Sequence, residues 1–195
     1  MRRLHILAFL LLFISTTGFA EAAYMDVVED YSRGLINSDT TSDTRYADLF
    51  DQPGYAVDGR TDTAFNLGID GWMVLGLSGR LITNGSQIDI TVHEFGAADE
   101  YEVLLGNDGV NWENLGQFGQ TRDEYTFELS NYSLSSESYR YLKIVDFGGP
   151  DGTASPGAEL AMIEVSNFVH TPVPAAVWLL ATGLTGVFGL RARRR

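Results

Sequence analysis

The feature that most constrains this chain is a period of two. Between Ser86 and Glu94, Ile88, Ile90 and Val92 alternate with polar residues, and Tyr101, Val103 and Leu105 repeat the theme in Asp99 to Leu105. Tyr125, Phe127 and Leu129 alternate again. Successive side chains of an extended strand point to opposite faces, so each run reads as a strand with one buried face. Trp72 to Leu77 is a short apolar run bounded by Gly71 and Ser78-Gly79. Tyr139 to Asp146 and Glu159 to Val165 supply two more strands. Glycines punctuate the runs, Gly148-Gly149-Pro150-Asp151-Gly152 reads as a long loop, and no ten-residue helical pattern intervenes. An all-β sandwich or jelly roll follows, without an internal repeat. Asn107-Asp108-Gly109 is a hairpin signal, and Trp112 reads as a core residue packed after that turn.

The two ends of the chain follow other rules. Arg2 and Arg3 precede the apolar run Leu4 to Ile14, and small residues follow at Gly18, Ala20, Ala22 and Ala23. This is the pattern of a secretory signal peptide, residues 1–22, cleaved after Ala22 or Ala23. Signal peptidase is therefore an expected processing partner. Residues 23–53 are polar and weakly patterned, and read as a leader, partly disordered or contributing one strand near Tyr46 to Phe50. The sandwich is expected over 54–170.

Composition narrows the partners. Of 13 Lys and Arg, Arg2 and Arg3 lie in the signal and four Arg in the last five residues, so the stretch between keeps 7 against 25 acids. Such a surface excludes nucleic acid, whose recognition rests on Lys and Arg neutralising phosphates. There is no cysteine. Disulfide stapling, thiol catalysis and Cys-ligated zinc are excluded, and an exported domain of this kind must rely on packing or a bound metal.

After Thr171, the stretch Ala175 to Leu190 is free of charge and ends in Arg191-Ala192-Arg193-Arg194-Arg195. It would span about 24 Å as a helix, and the Arg cluster Arg191, Arg193, Arg194 and Arg195 would resist translocation as a membrane stop. Pro172, Val173, Pro174, Ala175 and Ala176 open the segment, with Trp178, Leu179, Gly183, Leu184, Gly186 and Gly189 beyond. This order resembles the PEP-CTERM sorting signal in its VPxPAA-type variant. Val173 stands where the commonest family triad has Glu, and Thr171 where the variant has Val. The resemblance implies a sorting signal over 171–195, made of the Pro motif, a single transmembrane helix and the Arg cluster, with transient inner-membrane anchoring and processing by an exosortase. The final location would then be the cell surface or extracellular matrix of a Gram-negative bacterium.

The central stretch carries a second likeness. Ala56-Val57-Asp58-Gly59-Arg60-Thr61-Asp62-Thr63-Ala64-Phe65 resembles the A-x-D-G-x-x-x-T-x-W opening of discoidin, or F5/8 type C, domains, with Phe65 in place of Trp. Gly106 to Trp112 resembles the S-x-D-G-x-x-W turn of that galactose-binding-like family. The resemblance implies a jelly-roll β-sandwich and a structural calcium near Asp58, Thr63 and Glu164, a hard cation that takes about 6–8 oxygen ligands. Read from the residues alone, Asp58 makes an Asx-type turn with Gly59 and Glu164 is a solvated strand residue.

Enzymatic motifs are missing. His93-Glu94 has no second His four residues on, and neither a Gly-x-Ser-x-Gly elbow nor a phosphate-binding loop occurs. Loops Asp146 to Asp151 read as solvated. The expected function is a non-catalytic extracellular module binding glycan or exopolysaccharide, for which Tyr55, Trp72, Tyr125 and Tyr132 offer aromatic surface. A structural coat protein without a discrete ligand is the alternative, and a hydrolase a more distant one.

Overall fold

The computed structural model describes residues 22–34, 52–95, 99–119, 124–147 and 157–171. The expected signal up to Glu21, the expected strand near Tyr46 to Phe50 and the sorting segment from Pro172 lie outside them. Among the described residues, no helix is long and apolar enough to cross a membrane.

The strands are β1 (Ala23–Tyr24), β2 (Val27–Ser32), β3 (Phe65–Asn66), β4 (Trp72–Gly76), β5 (Arg80–Thr83), β6 (Ile90–Glu94) and β7 (Tyr101–Gly106). They continue with β8 (Trp112–Phe118), β9 (Glu124–Phe127), β10 (Ser138–Tyr139), β11 (Tyr141–Asp146), β12 (Glu159–Val165) and β13 (Phe168–His170). One sheet runs β1-β12-β6-β9 with β3 also on β12, the other β2-β4-β11-β7-β8, and a small third runs β10-β5-β13. Every pairing is antiparallel. The expected all-β sandwich is what the chain forms.

Alternation explains the core. Ile90 and Val92 on β6 and Ile163 and Val165 on β12 face inward from one sheet. Met73 and Leu75 on β4, Val103 and Leu105 on β7, and Leu142 and Ile144 on β11 face inward from the other. All ten are fully buried and belong to one cluster. Burying each stabilises the fold by roughly 1.5–3 kcal/mol. Phe118 closes one end of this core, meeting Phe127 edge-on at 4.6 Å and Tyr125 at 5.8 Å.

The leader is where the sequence reading needs correction. Residues 23–32 are two strands of the sandwich itself. β1 pairs with β12 and β2 with β4, so the chain crosses from one sheet to the other at Met25, which is fully buried and donates its N–H to Ile163 O at 2.9 Å. The pattern is hidden because β2 is an edge strand with a bulge between Val28 and Asp30, which breaks its period. At the far end, Thr171 donates its N–H and its hydroxyl to Gly79 O at 2.9 and 3.0 Å. Folded structure therefore reaches the residue before Pro172.

The alternation also slips at one point. Ile88 is 45% exposed and Asp89 fully buried, because β6 begins only at Ile90. Asp89 accepts from Gly85 N (2.6 Å), Leu129 N (2.7 Å) and Asn167 Nδ2 (2.8 Å), tying three loops together. A buried carboxylate needs such donors.

Candidate functional site

β11 is the middle strand of the five-stranded sheet β2-β4-β11-β7-β8. Leu142 and Ile144 point into the core, so Tyr141, Lys143 and Val145 must face out. In the register, Tyr141 stands opposite Gly76 on one side and Gly106 on the other, and Lys143 opposite Val74 and Leu104. Two glycines beside Tyr141 leave a trough in the outer surface. Trp112 on β8 is paired with Gly106, and its ring fills the missing side chain's place. A Cβ at Gly106 would lie 2.8 Å from the indole and from Asn111 O, so the close approach requires glycine there.

Trp72 enters the same surface from β4. Lys143 Nζ lies 4.6 Å from the centroid of the Trp72 ring and 5.5 Å from that of Trp112, within cation–π range of both. The chain has a single lysine, and its third tryptophan, Trp178, is in the tail. The only lysine and both remaining tryptophans thus meet at the centre of one sheet face. Together with Glu29, Asp30, Val74, Asp108, Gly109 and Tyr141 they line a groove of about 360 Å³, a size suited to small ligands. Trp112 was expected in the core; it is half-exposed on this outer face instead.

The polar groups of the groove divide into anchored and available. Asp108 Oδ1 accepts from Val110 N (2.9 Å) and Asn111 N (2.8 Å), and Oδ2 from Asn111 Nδ2 (2.7 Å). These donors, Asn111 N–H foremost, pull its carboxyl down to about 2. Asp108 is therefore a fixed negative charge that shapes the hairpin, where Gly109 takes φ +75°. Asp30 Oδ1 caps Tyr31 N at 2.9 Å, and its second oxygen stays available. Glu29, lifted by the bulge, rests its carboxylate over Gly76. Among the described residues, Lys143, Glu29 and the Tyr141 hydroxyl have no hydrogen-bond or ion-pair partner, which leaves their polar atoms for a ligand.

The residues expected to hold calcium are distributed differently. Asp58 and Thr63 are brought together: Thr63 Oγ1 donates to Asp58 Oδ2 at 2.7 Å, and Arg60 N to Asp58 Oδ1 at 2.9 Å. Glu164 lies on β12, in register with Tyr24 on one side and Thr91 on the other. Tyr24, its β1 partner, packs beside Gly59 of the Asp58 turn. Two of the expected side-chain oxygens, those of Asp58 and Thr63, thus converge, while Glu164 stands on another strand, β12.

Sequence reasoning did not single out a second acidic group. Ligand oxygens of Glu94, Asp99 and Glu159 lie within 4.8 Å of one another. Glu94 accepts from Asp99 N (2.9 Å) and Glu159 from Asn66 Nδ2 (3.0 Å). The signal was available: Glu94 follows Ile90 and Val92 at the inward positions of β6, where an apolar residue is expected. Asp146, read as part of a solvated loop, is buried and accepts from Ala158 N (2.9 Å) and Asp70 N (3.2 Å). Of the four candidate aromatics, only Trp72 lies in the groove. Tyr125 donates to Gly119 O at 2.7 Å and packs on Tyr101 and Phe118. Tyr132 lines a separate cleft of about 670 Å³ with Ser130 and Ser136, and Tyr55 sits on the Pro53–Val57 turn.

No family model matches the chain, and no curated protein does. Solved structures resemble it in shape. A fragment of a putative chitobiase from Bacteroides thetaiotaomicron superposes with TM-score 0.52 at 12% identity, over 82% of this chain and 99% of that one. The C-terminal domain of a chitobiase from Bacteroides fragilis gives 0.49 at 16%, over 75% and 95%. A family 32 carbohydrate-binding module from Clostridium perfringens, solved with GlcNAc-α-1,4-galactose, gives 0.49 at 11%, over 77% and 98%. At such identities the first of these, at 0.52, is a likeness of fold.

Proposed function

We propose that this chain is an exported, non-catalytic module that binds glycan, delivered by its signal peptide and sorted through its C-terminal segment by an exosortase. The observation that carries the binding claim is the groove. Two indoles, a tyrosine and charged groups share one outer sheet face. Pyranose rings present a C–H face that stacks on an aromatic side chain and a rim of hydroxyls that bond to charged groups. The groove offers both partners side by side. Charge-assisted hydrogen bonds of this kind are roughly twice as strong as neutral ones.

The positions of β1 and Thr171 support the export reading. β1 begins at Ala23, at the expected cleavage site, and Thr171 is tied down immediately before the Pro172 motif. Cleavage beyond Ala23 would remove a strand that pairs with β12. The chain's acidity fits an extracellular surface, and the resemblance of the tail implies the matrix of a Gram-negative bacterium. Calcium remains part of the proposal, as a structural ion held by Asp58, Thr63 and Glu164. It would tie the first turn to the last long strand in a domain without disulfides.

A glycan array probed with the full-length protein in detergent, with and without calcium, tests the binding claim. Selective signals are expected. Silence in both conditions would favour a structural coat protein without a discrete ligand.

A further inference from the structure

Resting on the glycan-binding reading, we infer that the Trp72–Lys143–Trp112 groove selects uncharged pyranose chains and excludes polyanionic ones such as uronate polymers. The reasoning starts from the count of charges in the groove. Glu29, Asp30 and Asp108 place three carboxylates around one ammonium. Among the described residues, none of the three carboxylates is paired with an Arg: Arg60 pairs with Asp62 and Arg80 with Asp26. A cleft lined mainly by one sign of charge focuses its field, and like-charge juxtaposition with a ligand is costly. Over residues 23–171, leader included, 7 basic residues stand against 25 acids, so the long-range field has the same sign.

The single cation does not reverse this. Lys143 Nζ is held between two ring faces, at 4.6 and 5.5 Å, where it can donate to a sugar oxygen. Glu29 and the second oxygen of Asp30 accept from hydroxyls. The groove therefore matches a ligand rich in donors, with stacking faces and no formal negative charge. A uronate, sulfate or phosphate would bring negative charge into a groove whose one cation is Lys143 and whose three carboxylates repel it.

The test is electrophoretic retardation of the full-length protein in detergent through gels containing one polysaccharide each. Galactomannan and laminarin are the neutral probes, alginate and polygalacturonate the anionic ones. The expected result is retardation by at least one neutral probe and at least tenfold weaker retardation by both anionic probes at 150 mM salt. Retardation should be lost in Trp112→Ala and weakened in the milder Trp72→Phe. Glu29→Gln with Asp30→Asn should raise retardation by the anionic probes relative to the neutral ones. Equal or stronger retardation by an anionic probe in the unmodified protein would overturn the selectivity while leaving the glycan reading in place. No retardation by any of the four would overturn both.

Discussion

The two faces of the five-stranded sheet are built from the same strands and obey different rules. Inward, Met73, Leu75, Val103, Leu105, Leu142 and Ile144 are aliphatic or thioether side chains without a polar atom that needs a partner. Outward, β4, β8 and β11 carry Trp72, Trp112, Tyr141 and Lys143 at alternate positions. Burial accounts completely for the first set. It does not account for the second, since a solvated sheet face is satisfied by small polar residues. Two half-exposed indoles around the chain's only lysine point to recognition.

Mutations should therefore separate stability from binding according to the face they touch. The largest effect is expected inside. Ile144→Ala should cost roughly 2–5 kcal/mol by leaving a cavity between the sheets, read as a lowered thermal midpoint. Glycan affinity measured well below that midpoint should stay the same. A loss of affinity as large as the loss of stability would erase the distinction between the faces.

Outside, the order reverses. Trp112→Ala should weaken glycan binding by about 2 kcal/mol, the scale of an aromatic hot spot, which is roughly thirtyfold. Its thermal midpoint should move far less than that of Ile144→Ala. Lys143→Met keeps the apolar stem and removes the ammonium. It should cost a smaller factor, about fivefold, equivalent to about 1 kcal/mol of cation–π and hydrogen-bond contribution.

Two smaller effects concern the turns that frame the faces. If Asp58, Thr63 and Glu164 hold calcium, a chelator should lower the melting midpoint by a few degrees, and Asp58→Ala should abolish the difference. An unchanged midpoint would leave Asp58 as the anchor of its own turn. Asp108 has a carboxyl held below its ordinary value of 3.8, at about 2. Because the folded form prefers the anion, its contribution is fully present above about pH 4 and is lost as pH falls through about 2. Between these values Asp108→Asn should lack the part of the acid sensitivity that Asp108 supplies in the unmodified protein. Identical profiles would remove the turn donors as the cause.

Much of the inner face was legible in the sequence, because burial imposes alternation. Ile90 and Val92, Val103 and Leu105, and the flanks of β12 declare their strands without help. Strands that escaped notice are those that burial constrains least. β2 is an edge with a bulge, and β8 buries only Leu115 and bulges against β7. β5 and β13 belong to the small third sheet. The outer face was only half legible. Trp72 stood out as an available aromatic, while Trp112 read as core because a large apolar residue after a turn ordinarily is. Its true position depends on register, which pairs it with Gly106 and so gives its ring a bare stretch of backbone to cover. Glu94 was legible in principle and passed over, as one of many acids in an acidic chain.

The central claim, that the outer face is the glycan site, is tested most directly by the chain's single lysine. Acetylation of the full-length protein in detergent, followed by mass mapping, reports the accessibility of Lys143 without interference from any other lysine. With a glycan that binds on the array, the account predicts at least fivefold slower modification of Lys143, with no change in the Trp112→Ala protein. Modification at the same rate with saturating glycan bound would place the ligand elsewhere and contradict it.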